Sequence, residues 1–384
     1  MLYTLRNQIK KHFRQYLSQD LVLFTRRYFD IVEINFNALL GRQFLPHPRQ
    51  KIQIETSGRC NLACKFCAYS KKVEGKTIMS MDLFQEVVNQ AADMGFSEIG
   101  LTPMTGEVFM DKGIIEKMHY LDDHPQIKSY SFFTNFVVPS EETIKELFDL
   151  HKLKFINISL YGHDDKSFCN LTRATTKEYH RLVKNLNYLY DLYSKRRSFI
   201  VRIGWRTIPS FKIEKSFQAS ELQEIFLKFQ LYHNVRFNNI WSYSNWGGEI
   251  TQTDVEGTGL KVNEGTQVYR KGLCSVIFRF SGILADGRVN ACVCRDVNGS
   301  LVVGDLKKES LSYVLSLNNP LYANLIQEQL ESKFRPVCLN CDFYNSFYQK
   351  LRMNASIKNY YNFSFVKKLL NHPPNNQSSG VGEG

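Results

Sequence analysis

The sequence predicts an α/β fold: a partial (β/α)6 TIM-like barrel followed by a small cysteine-rich C-terminal domain. Two observations carry this. From Lys51 onward, short apolar β-rich runs alternate with longer stretches whose apolar residues recur at three- and four-residue steps, the pattern of repeated βα units around a parallel sheet. Six such runs occur, fewer than the eight of a closed barrel. Five of the nine cysteines then fall within residues 270–345, beyond a stretch rich in Gly, Thr and acidic residues.

Bulk properties are consistent with that reading. A chain of 384 residues exceeds one ordinary domain and can bury a large core with an appended module. Hydrophobic residues at 43 % and charged residues at 22 %, without excess Pro or Gly, describe a folded protein and exclude wholesale disorder. The net charge of +12 favours anionic partners, but Lys and Arg are scattered and form no long basic tail, a weak argument for nucleic acid. No apolar run approaches the roughly 18 residues that span a bilayer, and the opening MLYTLRNQIKKHF lacks the apolar core of a secretory signal. A cytoplasmic location is expected, where nine cysteines are not paired as disulfides and short Cys spacings point to metal.

Taken in order, residues 1–48 carry Leu5, Ile9, Phe13, Leu17, Leu21, Phe24, Tyr28 and Ile31 at roughly helical spacing. They read as amphipathic helices packed on the main domain, with peripheral membrane contact as the alternative. Residues 49–245 form the barrel. Its strands are expected at 51–56, 98–104, 129–136, 155–162, 199–208 and 235–244, and its helices near 81–95, 111–123, 141–150, 178–195 and 217–229. Residues 246–269 read as a linker, 270–345 as the second domain, and 346–384, Pro/Asn/Ser/Gly-rich at its end, as a frayed tail.

The string CNLACKFC places Cys60, Cys64 and Cys67 in a CxxxCxxC spacing just after the first strand. Thiolates so close converge on one centre from a single loop, and soft sulfur suits an iron-sulfur cluster. Three ligands leave a fourth iron open to a small chelating ligand. Structural zinc is the competing reading and needs a fourth ligand from elsewhere, such as His47 or His163.

These residues, with several further strings, resemble the radical S-adenosylmethionine superfamily over about residues 50–345. The resemblance implies a 4Fe-4S cluster on Cys60, Cys64 and Cys67 that binds S-adenosyl-L-methionine, with Phe66 packed beside the adenine. Met104-Thr105-Gly106-Glu107-Val108 resembles the family's GGEP-like string, which assigns Gly106 and Glu107 to the methionine ammonium, although its first Gly is Thr and its Pro is Val. ISLYG at 158–162 resembles the ISLDG string and gives Ser159 the ribose, while Arg173 in the following segment falls to the methionine carboxylate. Asn135 stands where the family has a TNG turn.

Cys274, Cys292, Cys338 and Cys341, with Gly287 between the first two, resemble the SPASM or shorter twitch extension, which implies one auxiliary 4Fe-4S cluster, two clusters in all. A zinc-ribbon set is the alternative. The spacing looks most like the single-cluster extension of the butirosin-pathway aminocyclitol dehydrogenase. Cys294 and Cys169 are left over as candidate catalytic thiols: Cys294 stands as a hydrogen-atom donor or as a substitute ligand for Cys292.

The implied chemistry is hydrogen abstraction by a 5′-deoxyadenosyl radical from a sugar, glycoside or aminocyclitol carbon, giving epimerisation or oxidation. An external flavodoxin- or ferredoxin-type protein supplies the electron. Arg202 and Arg206, on one strand face, suggest an anionic group on the substrate, and Asn238, Trp241 and Tyr243 occupy strand positions suited to substrate contact. Two alternatives stand beside this: a ribosomal peptide maturase, and a non-catalytic iron-sulfur or zinc protein that binds nucleic acid through the +12 charge.

Overall fold

The computed structural model describes residues 51–348 apart from 74, 102–103, 208–219, 233–235, 241 and 279, together with Thr25, Tyr28, Phe29, Ile31, Val32, Glu33, Asn35 and Phe36. Most of the N-terminal helical segment, Trp241 and the tail beyond 348 lie outside the described residues. Among those described, no helix is long and apolar enough to cross a membrane.

Six strands form where the alternation predicts them. They are β1 (Lys51–Ile54), β2 (Glu98–Gly100), β3 (Ser129–Thr134), β4 (Leu153–Tyr161), β5 (Ile200–Arg206) and β6 (Arg236–Ile240). All pair in parallel with their sequence neighbours. One face of β1 to β5 is apolar: Ile52, Ile54, Ile99, Tyr130, Phe132, Ile156, Ile158, Val201, Ile203 and Trp205 are buried in the main core. The other face carries Gln53, Ser131, Phe133, Asn157, Ser159, Tyr161, Arg202 and Arg206, the period-two consequence of side chains pointing to opposite sides of a strand.

The helices between the strands are α1 (Met81–Asp93), α2 (Ile114–Asp123), α3 (Glu141–Glu146), α4 (Asp165–Thr172), α5 (Thr176–Lys195) and α6 (Glu221–Gln230). Their starts follow the local chemistry of unsatisfied N–H groups. Ser80, Ser140 and Ser220 each accept from a backbone N–H in the first turn, and Asp164 with Ser167 forms a capping box. Each contributes about 1 kcal/mol. Their apolar stripes, such as Phe84, Val87, Val88 and Ala91 of α1, close the outer core.

Three features depart from the expected order. The run at 235–244 breaks in two: β6 stays in the sheet, and β7 (Ser242–Tyr243) leaves it to pair with β8 (Lys261–Val262). The sheet does not stop at six strands either, because β9 (Gly282–Ile283), β10 (Arg288–Asn290) and β11 (Val302–Asp305) join it beyond β1, in the order β11-β10-β9-β1-β2-β3-β4-β5-β6. β9 runs parallel to β1, and β10 is antiparallel to both its neighbours. Third, residues 246–269 hold short 3-10 turns whose Ile250, Val255 and Leu260 are buried against the loop after β1. Three short helices, α7 (Leu311–Val314), α8 (Pro320–Leu330) and α9 (Pro336–Leu339), complete the second domain.

Candidate functional site

The loop after β1 is held on several sides before any side chain is considered. Gly58 donates to Thr77 O at 2.8 Å, and a Cβ there would stand 2.0 Å from Gly75 O, so only glycine lets the two backbones cross. Ala63 and Lys65 donate to Thr172 O and Leu171 O at the end of α4. Trp246 Nε1 donates to Phe66 O at 3.0 Å, and Lys71 pairs with Asp254 at 2.8 Å. Glu107 N donates to Arg59 O at 2.7 Å, which ties the loop after β2 to the same segment.

Cys60, Cys64 and Cys67 line a cavity of about 280 Å³ at the C-terminal ends of the strands. The same wall carries Phe66, Gly106, Glu107, Asn135 and Ser159, so the three cysteines and five of the six residues that the resemblance assigns to S-adenosylmethionine meet there, with Thr105 beside them; Arg173 does not. Burial pushes the Cys60 thiol up to about 12 and raises Cys64 and Cys67 as well. Such thiols stay protonated unless a cation sits among them, and that is what metal ligation supplies. Among the described residues no three His, Cys, Asp or Glu groups are gathered tightly enough to hold a single metal ion.

Glu107 is 2 % exposed and accepts from Thr134 Oγ1 at 2.6 Å, Asn135 N at 2.7 Å and Phe109 N at 3.3 Å. Burial raises its carboxyl to about 7, with those three donors opposing the rise. Asn135 Nδ2 donates to Asn61 Oδ1 at 2.8 Å and stands 3.9 Å from Cys60 Sγ. Phe66 packs on Tyr161 and Tyr243, ring centroids 5.2 and 4.7 Å away, leaving an aromatic wall. Ser159 Oγ accepts from Arg206 Nη1 at 2.9 Å. The Thr105 and Tyr243 hydroxyls, both on the cavity wall, are buried with no hydrogen-bond partner among the described residues. Buried orphans of this kind call for a polar ligand. An aromatic wall, a buried carboxylate and a cation on Arg206 fit a ligand that is at once a nucleoside and an amino acid.

Arg173 stands away from this cavity. It was expected at the methionine carboxylate, yet it closes α4 in the left-handed region (φ 57°), is exposed, and is absent from the described cavity lining. Among the described lining residues, Arg206 is the one lysine or arginine. Arg202, expected to pair with it, instead lies over the Phe155 ring at 3.6 Å.

The second cysteine set meets as well. Cys274, Cys292, Cys338 and Cys341 line one small void with Cys294 as a fifth thiol. Burial raises Cys274 and Cys338 to about 12, Cys341 to about 11, and Cys292 in the same direction. Cys294 Sγ accepts from Arg295 Nη1 at 3.3 Å. Neither Cys294 nor Cys169, which lies on α4, is among the residues lining the first cavity, so the geometry does not place either thiol where a hydrogen-atom donor must stand. Sequence reasoning missed Trp246, hidden in a stretch whose composition reads as linker, and Gln329, in the last turn of α8 and without a motif.

Residues 54–214 match the Radical SAM superfamily, and residues 274–342 match the SPASM iron-sulfur cluster-binding domain. Over 127 residues the chain is 30 % identical to a GTP 3′,8-cyclase of Desulforamulus reducens, a match that spans 32 % of this chain and 37 % of that relative. The chain thus covers little more than a third of the length of this curated relative. The Streptococcus suis protein SuiB, solved with its precursor peptide SuiA, superposes with a TM-score of 0.51 at 17 % identity over 78 % of this chain and 70 % of that one. SuiB bound to S-adenosylmethionine gives 0.50 at 15 % identity over 75 % and 70 %. At these identities the likeness is one of fold.

Proposed function

We propose, starting from a chain that is a radical S-adenosylmethionine enzyme with a SPASM-type iron-sulfur extension, that it oxidises a carbon of a sugar, glycoside or aminocyclitol after hydrogen abstraction. Cys60, Cys64 and Cys67 would hold the first 4Fe-4S cluster, and Cys274, Cys292, Cys338 and Cys341 the auxiliary one. Bound S-adenosylmethionine and a reduced first cluster would supply a 5′-deoxyadenosyl radical that takes a hydrogen atom from an unactivated carbinol carbon, with an external flavodoxin- or ferredoxin-type donor providing that electron; the substrate radical would then give its second electron to the auxiliary cluster and its hydroxyl proton to solvent, leaving the keto product.

The chain's own residues orient the reactants and exclude water. Phe66, Tyr161 and Tyr243 form a flat apolar wall for an adenine. Glu107, ionised opposite an ammonium, anchors one end of the methionine tail, and Arg206 anchors its carboxylate in the place expected of Arg173. Ser159, already bonded to Arg206, is within reach of a ribose. With Arg206 so engaged and Arg202 on Phe155, the described lining offers no second cation, which favours a neutral substrate over an anionic one.

The observation that favours oxidation over epimerisation is the position of Cys294. An epimerase must return a hydrogen atom to its substrate, and the spare thiols both lie away from the first cavity. Carbohydrate chemistry rests on the CxxC spacing that resembles a single-cluster aminocyclitol dehydrogenase. The test is product analysis with a panel of aminocyclitols and glycosides under anaerobic reduction. One keto product per 5′-deoxyadenosine supports the proposal; an inverted product, or turnover on a peptide and not on the panel, overturns it.

A further inference from the structure

Gln329 is 1 % exposed, in the last turn of α8, and its side chain lines the void around the second cysteine set. Its Oε1 accepts from Cys274 N at 3.0 Å. Its Nε2 donates toward Cys338 Sγ at 3.7 Å, within range for a bond to sulfur. One planar amide therefore touches two cysteines from distant parts of the chain, one through the backbone and one through the thiol.

Glutamine is the neutral side chain of this length that both accepts and donates. An ionised Glu has no donor for sulfur, Lys and Arg have no acceptor for the Cys274 N–H, and Met has no donor and only a weak acceptor in its thioether sulfur. Two other bonds to these sulfurs come from backbone, Phe343 N to Cys341 at 3.2 Å and Asn345 N to Cys274 at 3.4 Å. They follow from the chain path, whereas Gln329 is a side chain brought to the sulfur by a separate helix. Hydrogen bonds to cluster sulfurs stabilise the more negative, reduced state and so raise the reduction potential.

We infer that Gln329 is a positioning residue of the auxiliary cluster: it holds Cys274 and Cys338 in fixed relation and, by donating to the Cys338 sulfur, makes that cluster a better electron acceptor. The inference rests on the reading that Cys274, Cys292, Cys338 and Cys341 hold this cluster.

The experiment uses the full chain with Cys60, Cys64 and Cys67 replaced by Ala, so that only auxiliary iron gives a signal. Gln329→Met should make the cluster harder to reduce by about tenfold in the reduction equilibrium, which for one electron is about 59 mV. In protein labelled with 15N at glutamine amides, pulsed EPR of the reduced cluster should show a nitrogen coupling that Gln329→Met abolishes. A cluster with unchanged potential in Gln329→Met and no 15N coupling in its parent overturns the inference while leaving the cluster reading intact. If Gln329→Met sheds its iron, the coupling in the parent decides, its presence supporting the bond and its absence overturning it. A parent without auxiliary iron overturns both.

Discussion

Replacing Glu107 by Gln isolates the charge in the first cavity from the scaffold around it. The three donors on the carboxylate show why Ala is the poorer choice: it orphans the Asn135 and Phe109 N–H groups in a buried site, each costing about 1–3 kcal/mol. Gln keeps an oxygen for Asn135 N and can donate its Nε2 to Thr134 Oγ1, a hydroxyl able to reverse its role, so that Phe109 N, which shares its acceptor oxygen with Thr134 at 3.3 Å, is the one donor left unpaired. What is lost is the charge-assisted bond to an ammonium, roughly 1.5–3 kcal/mol, or about 10- to 150-fold in affinity. The pH dependence sharpens the test. With a carboxyl near 7, ionisation rises from about a tenth at pH 6 to about nine-tenths at pH 8, so affinity should climb severalfold over that interval. The stability sign runs the other way. A carboxyl raised from an ordinary 4.5 to about 7 binds its proton more tightly in the fold, so the free protein loses stability as pH rises from 4.5 through 7, on the order of 3 kcal/mol. Calorimetric titration of S-adenosylmethionine into reconstituted protein at pH 6, 7 and 8, with urea unfolding at the same values, measures both trends. Glu107→Gln should flatten the protein's share of each, the ligand's own titration appearing in both proteins. Wild-type affinity in Glu107→Gln at pH 8, or superimposable pH profiles, would refute the role given to this carboxylate.

Anaerobic protein should carry close to eight iron and eight sulfide per chain, by the two-cluster assignment, and joint replacement of Cys60, Cys64 and Cys67 by Ala should remove about half and abolish 5′-deoxyadenosine formation; stoichiometric zinc would contradict it. Arg206→Met should weaken S-adenosylmethionine binding by about tenfold or more while Arg173→Met leaves it unchanged, as calorimetry can read, and the reverse ranking would restore Arg173 to the carboxylate. Cys294→Ala should turn over to the same keto product with no solvent deuterium in recovered substrate, and loss of an inverted product on this replacement would show that the thiol is a hydrogen donor after all.

The barrel was legible because two periods are written into it. Alternation in FINISLYG puts Ile156, Ile158 and Leu160 in the core and Ser159 and Tyr161 on the cavity wall, and CxxxCxxC with Glu107 and Asn135 needed only those strand ends to meet. What could not be read is short or tertiary. β9 and β10 are two and three residues long, too brief for any period, and they exist because β1 offers an open edge. Helix α4 is eight residues, announced only by Asp164 and Ser167. Arg173 followed the resemblance, but the carbonyls of Leu171 and Thr172 are taken by the cysteine loop, and α4 ends there with the arginine in the left-handed region, turned to solvent.

The stretch that composition labelled a linker does most to relate the two cysteine sets. Isolated apolar residues such as Ile250, Val255 and Leu260 among Gly and Thr show no period, yet each is buried over the first loop. Just before them, Ser244, Asn245 and Trp246 reach both ways. Trp246 Nε1 holds Phe66 O between Cys64 and Cys67, while Asn245 Nδ2 donates to Asn340 O at 2.7 Å and Asn245 Oδ1 accepts from Asp342 N, on either side of Cys341. Ser244 Oγ adds a bond to Asp342 at 3.1 Å, and Asp342 in turn holds Arg295 beside Cys294. Three consecutive residues thus touch the loops of both sets through partly buried hydrogen bonds. The separation between the two cysteine sets is therefore held by a short hydrogen-bonded strap and by the shared sheet edge at β1, two independent constraints on the same distance.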